Sequence, residues 1–543
     1  MKEYLRERMG SALKTIGVGE SAAPTFEKPR VPEHGDLTTN IAMVVAKHAG
    51  KPPRQLAQRI VECLDVDKTL VDRVEIAGPG FINFHFTAKF FEKQLGNIVR
   101  TGKDFGRLNV GLRKKTQVEF VSANPTGPLT VGHGRGAVFG DTVARLLEWT
   151  GYDVTREYYF NNAGRQMRIL GDSVRLRYLE LFGEKAEYPA DYYQGEYIKT
   201  IAGHLKDEHG DRLKAEPAEG MFKRQAEGEI FDDIKKTLQR LGIEFDVFYN
   251  ENSLYETGKI KEVIEEFRAK GLAYDQDGAV WFKASAFGGE KDKVIVKSTG
   301  EPTYRLPDIA YHREKFRRGF ELVVDVFGAD HVATYPDVLA GVRALGLDAA
   351  KVKVLIHQFV TIVQGGEVVK MSTRKANFIT LDELIEEVGA DVVRYFFLMR
   401  SIDSHLNFDL KLAKEQSEEN PVYYLQYAHA RIASILRHAE SQGIDGNSPA
   451  DVALLTQAEE MALMKLLADF PDMVESCAAT FEPHRLAEYL QVMAGCFHKF
   501  YHAHRVITED KALTAARIAL CLGTKTVLAN GCVILGIAAP EKM

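Results

Sequence analysis

The sequence predicts an α/β nucleotide-binding catalytic domain with a Rossmann-like parallel sheet and a helical insertion. A small α+β domain precedes it and an all-α helix bundle follows. Three observations support this. The stretch "TQVEFVSANPTGPLTVGHGRGAVFGDTVARLLEWTGYDVTREYYF" runs strand, glycine-rich turn, helix, strand, which is the right-handed βαβ unit of a nucleotide-binding sheet. Residues 411–543 consist almost wholly of long amphipathic runs. With 543 residues, the chain is too long for one hydrophobic core.

The first block is residues 1–108. "DLTTNIAMVVAKHAG" reads as a helix with Asp36 as a cap, apolar Ile41, Val44 and Val45, and a stop at Gly50. "RVEIAGPGFINFHF" alternates apolar and polar residues on either side of Gly-Pro-Gly, so it reads as two strands joined by a turn.

The second block is residues 109–410. "TQVEFVSA" has the β-branched and aromatic content of a buried strand. In "RGAVFGDTVARLLEWTG" the apolar Val138, Val143, Leu146 and Leu147 recur at helical spacing up to Gly151. "YDVTREYYF" is the next strand, and further strands are expected at "KVIVKS", "LVVDVFG" and "VKVLIHQFV". The charged helical stretch from about 164 to 289 is too long for a loop and reads as an insertion. The third block, 411–543, includes "PVYYLQYAHARIASILRHAE" and "ALTAARIALCLGTKTVLANGCVIL", the runs of a helix bundle.

Composition excludes several classes. Hydrophobic residues at 45% and charged residues at 27% are ordinary for a folded globular chain. No run of about 18 apolar residues is read, so no membrane span is expected. The amphipathic start "MKEYLRERMGSALKTIG" lacks the apolar centre of a secretory signal. The five cysteines form no C-x-x-C pair, so no protein metal site is expected, and their scatter suits a reducing cytoplasm. A net charge of −6 gives no global nucleic-acid signal, although a local groove on an acidic protein can still be basic.

The chemistry concentrates in two places. A turn at a helix N-terminus presents free N–H groups and the positive end of the dipole to an anion. Gly132, Gly134 and Gly136 permit close approach, and the His133 imidazole can donate to a phosphate oxygen. Read alone, this is equally a glycine-rich connection with a solvated histidine. In "GGEVVKMSTRKANF", Lys370, Arg374 and Lys375 place three cations in a short loop able to neutralise a leaving pyrophosphate. Read alone, that loop is simply solvated.

Together the two stretches carry a resemblance. "PLTVGHG" resembles the class I aminoacyl-tRNA synthetase motif written HIGH, with Thr130 at its first histidine, and "KMSTR" resembles the paired KMSKS. "EFVSANPTGPL", "YRLPDIAYH", "FGADH" and "VLANGCVILGIAAPEKM" are similar to bacterial arginyl-tRNA synthetases, and "HGDLTTNIAM" and "IAGPGFINF" resemble that family's N-terminal domain, which touches the tRNA. The resemblance covers essentially the whole chain. It implies an arginine–tRNA ligase. Arginine and ATP, used as its Mg2+ complex, give arginyl-adenylate and pyrophosphate, and the arginyl group then passes to the terminal ribose of its tRNA. In-line attack by a carboxylate needs no general base, so positioning and charge stabilisation carry the step.

By the same resemblance, Thr130, His133 and Lys370 are catalytic. Gly132, Gly134, His331, Met371, Ser372 and Lys375 join His133 and Lys370 in binding ATP. Arginine is bound by Glu119, Asn124, Tyr304 and Asp308; a planar guanidinium with five donors calls for such carboxylates and oxygen acceptors. Tyr304 and Asp308, four apart, share one face at a helix start. Without the resemblance, Asp308 reads as a helix cap and Glu119 as a surface strand residue. Tyr427, Arg431, Tyr501 and Arg505 are candidates for unstacked anticodon bases, with bundle core as the plain alternative for each tyrosine. A cytoplasmic monomer is the family's usual state.

Competing readings remain distinguishable. A synthetase for another amino acid would not combine Glu119, Tyr304 and Asp308. A small nucleotidyltransferase needs neither the long insertion nor the helical C-terminal block. A non-catalytic RNA-binding paralogue would also be expected to lose Lys370 or the carboxylates.

Overall fold

A computed structural model describes residues 1–543 except 19–21, 30, 163, 186, 370–378 and 445–449. Its centre is a five-stranded, wholly parallel sheet: β1 (Lys115–Glu119), β2 (Asp153–Phe160), β3 (Val247–Asn250), β4 (Leu322–Gly328) and β5 (Val352–His357). The spatial order is β5-β4-β1-β2-β3. The chain therefore reverses its direction of winding between β1 and β4, the switch point at which sheets of this kind bind ligands. The helix Val131–Trp149 leaves the turn after β1, buries nearly every side chain, and packs on β1 and β2.

Two expectations about the sheet are corrected. "KVIVKS" does not join it. Lys293–Val296 is instead the edge of a separate three-stranded antiparallel sheet with Ala273–Gln276 and Ala279–Phe282. The true edge strand, β3, lies inside the span read as a helical insertion. Only Val247–Asn250 forms it, with alternating half-buried and exposed side chains, too short a signal to stand out from its charged surroundings. The helices Arg165–Glu180, Glu196–His209 and Met221–Arg240 fill the stretch between β2 and β3.

The N-terminal domain has a core of its own, from Leu5 to Phe84. Val71–Ala77 and Phe81–Phe86 form the expected hairpin. Gly80, at φ +143°, passes close to Pro53; a Cβ there would lie 3.0 Å from the Pro53 carbonyl carbon. Asp36 is not a helix cap, because the helix Ile41–Ala49 begins after Asn40. One Asp36 oxygen accepts from the Phe86 N–H at 2.8 Å and the other pairs with Lys465 at 2.7 Å. Lys2–Asp472 and Lys28–Asp469 add two more lysine–aspartate pairs to the same boundary. The helix Ala88–Thr101 lies before the expected boundary at residue 108, yet it buries Phe90, Phe91, Leu95 and Ile98 against the C-terminal helices.

The C-terminal block is helical as expected: Pro421–Ser441, Ala458–Thr480, Pro483–Ala503 and Lys511–Leu535. By length and composition alone, Lys511–Leu535 is long and apolar enough to cross a membrane. In this fold 72% of its most apolar stretch is buried inside the protein.

A buried ion pair joins these parts. Arg394, on the helix Ala390–Leu398, donates to Asp141 on the Val131–Trp149 helix at 2.6 Å, to the Leu241 carbonyl at 2.8 Å and to the Leu535 carbonyl at 3.0 Å. Asp141 also receives Arg145 at 2.8 Å and Arg156 at 3.3 Å. Burial disfavours its charge, but Arg394, Arg145 and Arg156 together hold its carboxyl below the usual range. Asp141→Ala is expected to destabilise the fold by about 3–5 kcal/mol, because Arg394 would stay buried without a counter-charge. Denaturant unfolding would measure this, and Asp141→Ala combined with Arg394→Met should recover part of the loss.

Candidate active site

The site forms where β1 ends. Val121 and Ser122 both adopt left-handed backbone, at φ +67° and +39°. For a β-branched residue this is a strained conformation, and such strain persists only where neighbours enforce it. Here the next strand does so. The Tyr159 N–H donates to Ser122 Oγ at 3.1 Å, Ser122 Oγ donates to Glu119 at 3.0 Å, and the Tyr158 hydroxyl donates to the Ala123 carbonyl at 2.7 Å. The bend turns the chain into the Asn124–Pro128 loop. Asn124 then bonds Gln166, and the Thr126 carbonyl accepts from Tyr197 at 2.7 Å, so the insertion helices pack over this loop.

Thr130 is the N-cap of the following helix. Its backbone N–H donates to His133 Nδ1 at 3.2 Å, and its hydroxyl lies 3.3 Å from the same nitrogen. With Nδ1 as acceptor, the neutral imidazole carries its proton on Nε2. Burial lowers the His133 pKa, with Asp330 opposing, so the neutral donor form dominates at physiological pH. Gly134 is required sterically, since a Cβ would lie 2.6 Å from Leu381 Cδ1. Gly132 is open: the nearest atom to a Cβ there is Thr130 Oγ1 at 3.7 Å. His331, in the turn after β4, stacks on Phe327 with centroids 5.0 Å apart and stays half exposed. Lys370, Met371, Ser372, Arg374 and Lys375 lie outside the described residues.

The three central strands carry an acidic row. Glu157 on β2, Glu119 on β1 and Asp325 on β4 are register neighbours, forming a row of three buried carboxylates. The helix Arg305–Arg317 lies across this row. Lys315 donates to Glu119 and to Asp325, both at 2.6 Å; His312 meets Asp325 at 2.9 Å. Arg318, just beyond the helix, forks onto Glu157 at 2.6 and 2.7 Å. Glu119 is thus neither a surface residue nor a free acceptor, since it already holds a cation. Burial nonetheless pushes its carboxyl upward, against the pull of Lys315.

Asp308 shares the helix face of His312 and Lys315, but no described side chain bonds its carboxylate. Burial raises its pKa well above normal, and the nearby charges of Glu251 and Glu119 add to this. Glu251, in the turn after β3, was not singled out from the sequence. Its Oε2 is buried without a partner, as is the Tyr159 hydroxyl. Burial pushes Glu251 up to about 7. Asp308, Glu251 and Tyr159 influence one another electrostatically and form an acidic cluster that no described cation bonds directly. No sequence signal marks Glu251 within "YNENSLY"; only β3 brings it here. Tyr304 does not join Asp308 in this pocket: it caps the helix with its ring 77% exposed.

A missed residue also lies on the His133 side. His357 ends β5 against Gly136, where a Cβ would be 2.9 Å from its Nε2, and its Nδ1 is buried without a partner. In the helix bundle, Arg431 lies over the rings of Tyr427 at 4.4 Å and Tyr501 at 5.3 Å, so three of the four expected tRNA-facing residues cluster. The Arg505 carbonyl instead accepts from Arg517.

A switch-point turn with a neutral histidine donor, a nearby acidic cluster and an appended helix bundle agree with the class I aminoacyl-tRNA synthetase that the motifs resemble. Family models match three segments: "Arginyl tRNA synthetase N terminal domain" at residues 3–86, "tRNA synthetases class I (R), catalytic domain" at 94–395 and "DALR anticodon binding domain" at 425–543. The chain is 54% identical to an arginine–tRNA ligase of Desulfotalea psychrophila over 96% of its own length and 94% of that protein's. It is 50% identical to one of Salinibacter ruber over the whole of both chains. Its fold superposes on the Thermus thermophilus arginyl-tRNA synthetase with a TM-score of 0.80 at 22% identity, covering all of both chains. The chain belongs to the arginyl-tRNA synthetase family.

Burial holds His357 down at about pH 4, helped by the nearby charge of Arg135. The unfolded chain therefore takes up a proton near the ordinary pKa of about 6.5, well before the native state does. Its contribution to stability should rise with pH between those two values. His357→Asn should flatten that part of the stability–pH profile by on the order of 2 kcal/mol, as read by urea unfolding.

Proposed function

We propose that the two halves of the site divide the substrates, with ATP beside His133 and arginine beside Asp308 and Glu251. Family membership gives the activity: ATP-dependent attachment of arginine to tRNA. The observation that carries the division is the acidic pocket. A buried Glu251, a half-buried Asp308 and a phenol oxygen, none bonded to a cation among the described residues, suit a guanidinium, whose charge and fixed fork of donors satisfy all three.

In this reading the arginine side chain enters between Asp308 and Glu251, with Glu119 forming the back wall and sharing its charge with Lys315. Tyr304, exposed at the start of the Arg305–Arg317 helix, is assigned to arginine by motif alone, and Asn124 holds the α-amino or carboxyl end. The arginine carboxylate then attacks the α-phosphate of ATP, bound as its magnesium complex. Oxygen–phosphorus bond formation displaces pyrophosphate. His133 Nε2–H donates to the phosphate oxygens, with Gly132 and Gly134 lining the approach, while His331 lies beside the nucleotide. Lys370, Met371, Ser372 and Lys375 are assigned to the pyrophosphate by motif alone. Thr130 acts through its backbone, which orients His133. The second step transfers the arginyl group to the tRNA terminal ribose. Stacking by Tyr427 and Tyr501, with Arg431 and Arg505, receives anticodon bases. The division 1–108, 109–410 with the insertion at about 164–289, and 411–543 serves as tRNA-contacting, catalytic and anticodon-binding domains. A cytoplasmic monomer without membrane association completes the reading.

ATP–pyrophosphate exchange with each amino acid, with and without total tRNA, tests it. Exchange should depend on arginine; its absence even with tRNA present would sink the assignment. Asp308→Ala should raise the arginine KM about a hundredfold or abolish exchange while ATP binding persists. Because Glu251 sits at about 7, its charged form grows as pH rises through that value. The arginine KM should fall between about pH 6 and 8, and Glu251→Gln should remove that trend.

A further inference from the structure

The helix that carries His133 also holds a guanidinium without a carboxylate. Arg135 is 1% exposed. Among the described residues it bonds only main-chain oxygens: Nη1 donates to the carbonyls of Gln358 and Ser404, both at 2.8 Å, and Nη2 to that of Ser401 at 2.9 Å. Burial pushes it down to about 10, opposed by the more distant charge of Asp403. Burying a guanidinium without a counter-charge is costly, and a methionine would fill similar space without that cost. What the guanidinium supplies instead is a rigid fork able to hold two segments at once.

Those two segments belong to one small structure. Gln358 leads from β5 into the strand Val360–Gln364, and Ser401 to Ser404 lead into the strand Leu406–Asp409, which pairs with it in parallel. The Gln358 N–H donates to the Ile402 carbonyl at 3.2 Å, and the Leu406 N–H to the Phe359 carbonyl at 3.3 Å, so the roots of both strands already touch. Arg135 ties that joint to the His133 helix. On the preceding turn, the Leu381 N–H donates to the Leu129 carbonyl at 2.8 Å, and Thr130 bridges Thr380. Residues on both sides of 370–378 are therefore anchored within seven positions of the helix start, from Leu129 to Arg135.

We propose that Arg135 is a positioning residue for the ATP half of the site: by bonding the Gln358, Ser401 and Ser404 carbonyls it sets the placement of the strand pair Val360–Gln364 and Leu406–Asp409 relative to His133. The kinetic part rests on the division of substrates proposed above; the placement itself does not.

The test uses full-length Arg135→Met and Arg135→Lys, read by hydrogen exchange and by arginine-dependent pyrophosphate exchange with tRNA present. In Arg135→Met, amides of 358–364 and 401–409 should exchange about tenfold faster or more, while β4 and the helix Arg305–Arg317 keep their protection. The ATP KM or kcat should worsen by about tenfold to a hundredfold, with the arginine KM within about twofold of wild type. Arg135→Lys should recover part of both effects, and it carries the test if the methionine variant does not fold. Faster exchange spread evenly over the catalytic domain would overturn the proposal. So would an equal rise in both KM values, or kinetics that stay at wild-type level. A wild-type enzyme without arginine-dependent exchange would instead defeat the division of substrates, and hydrogen exchange would still decide the placement.

Discussion

The architecture depends on one buried ion pair, Arg394 with Asp141. Asp141 sits two turns along the helix that begins at the His133 turn, and Arg394 comes from a helix some 250 residues later in the chain. The remaining donors of Arg394 reach Leu241, at the end of the helix Met221–Arg240 within the insertion, and Leu535, at the end of the last helix. Arg145, one turn beyond Asp141, repeats the pattern, bonding the carbonyls of Gly242 and Val533. Arg156 brings in β2. Gly536 leaves room for the guanidinium, since a Cβ there would lie 2.2 Å from Arg394 Nη2. Placing a charge at the centre of a fold is expensive. It is tolerated here because each of the three Arg394 nitrogens finds an acceptor and each acceptor belongs to a different part of the protein.

The same economy of charge organises the site. The site has two electrostatic sides, one of neutral histidines and one of carboxylates. On one side His133 and His357 are kept neutral by burial. On the other, the Glu157–Glu119–Asp325 row is covered by Lys315, His312 and Arg318, which pins the Arg305–Arg317 helix to the sheet. Asp308 lies on that helix one turn before His312, and among the described residues no cation bonds its carboxylate. Pinning the helix thus places one unpaired carboxylate beside the unpaired Glu251. The pocket is acidic because the row of compensated charges stops one position short of it.

Much of this was legible in the sequence, for reasons that differ by element. The strand–turn–helix around His133 combines a β-branched strand, glycines and a strong helical period, each readable locally. The carboxyl-terminal helices were readable because their apolar stripes are long. Val247–Asn250 was not, because a four-residue edge strand has too few positions to show a period. Lys293–Val296 reads like a sheet strand and is one, but nothing local says which sheet it joins. Asp36 precedes a helix and resembles a cap, yet its oxygens go to Phe86 and Lys465, the latter 429 positions away. Glu251 and Arg135 were passed over for a related reason. Each is an ordinary charged residue in its own segment, and it becomes distinctive only through what the folded chain does or does not place opposite it.

The geometry of the Arg394 hub also orders events during synthesis. The His133 helix leaves the ribosome well ahead of Val533 and Leu535. Until they arrive, Arg145 and Arg394 each lack a carbonyl acceptor and the apolar face of the His133 helix lacks its cover from Lys511–Leu535. Domains commonly fold one after another as they emerge. Here the hub that braces the catalytic domain is complete only once the C-terminal helix has been made, which links the two domains in folding as well as in structure.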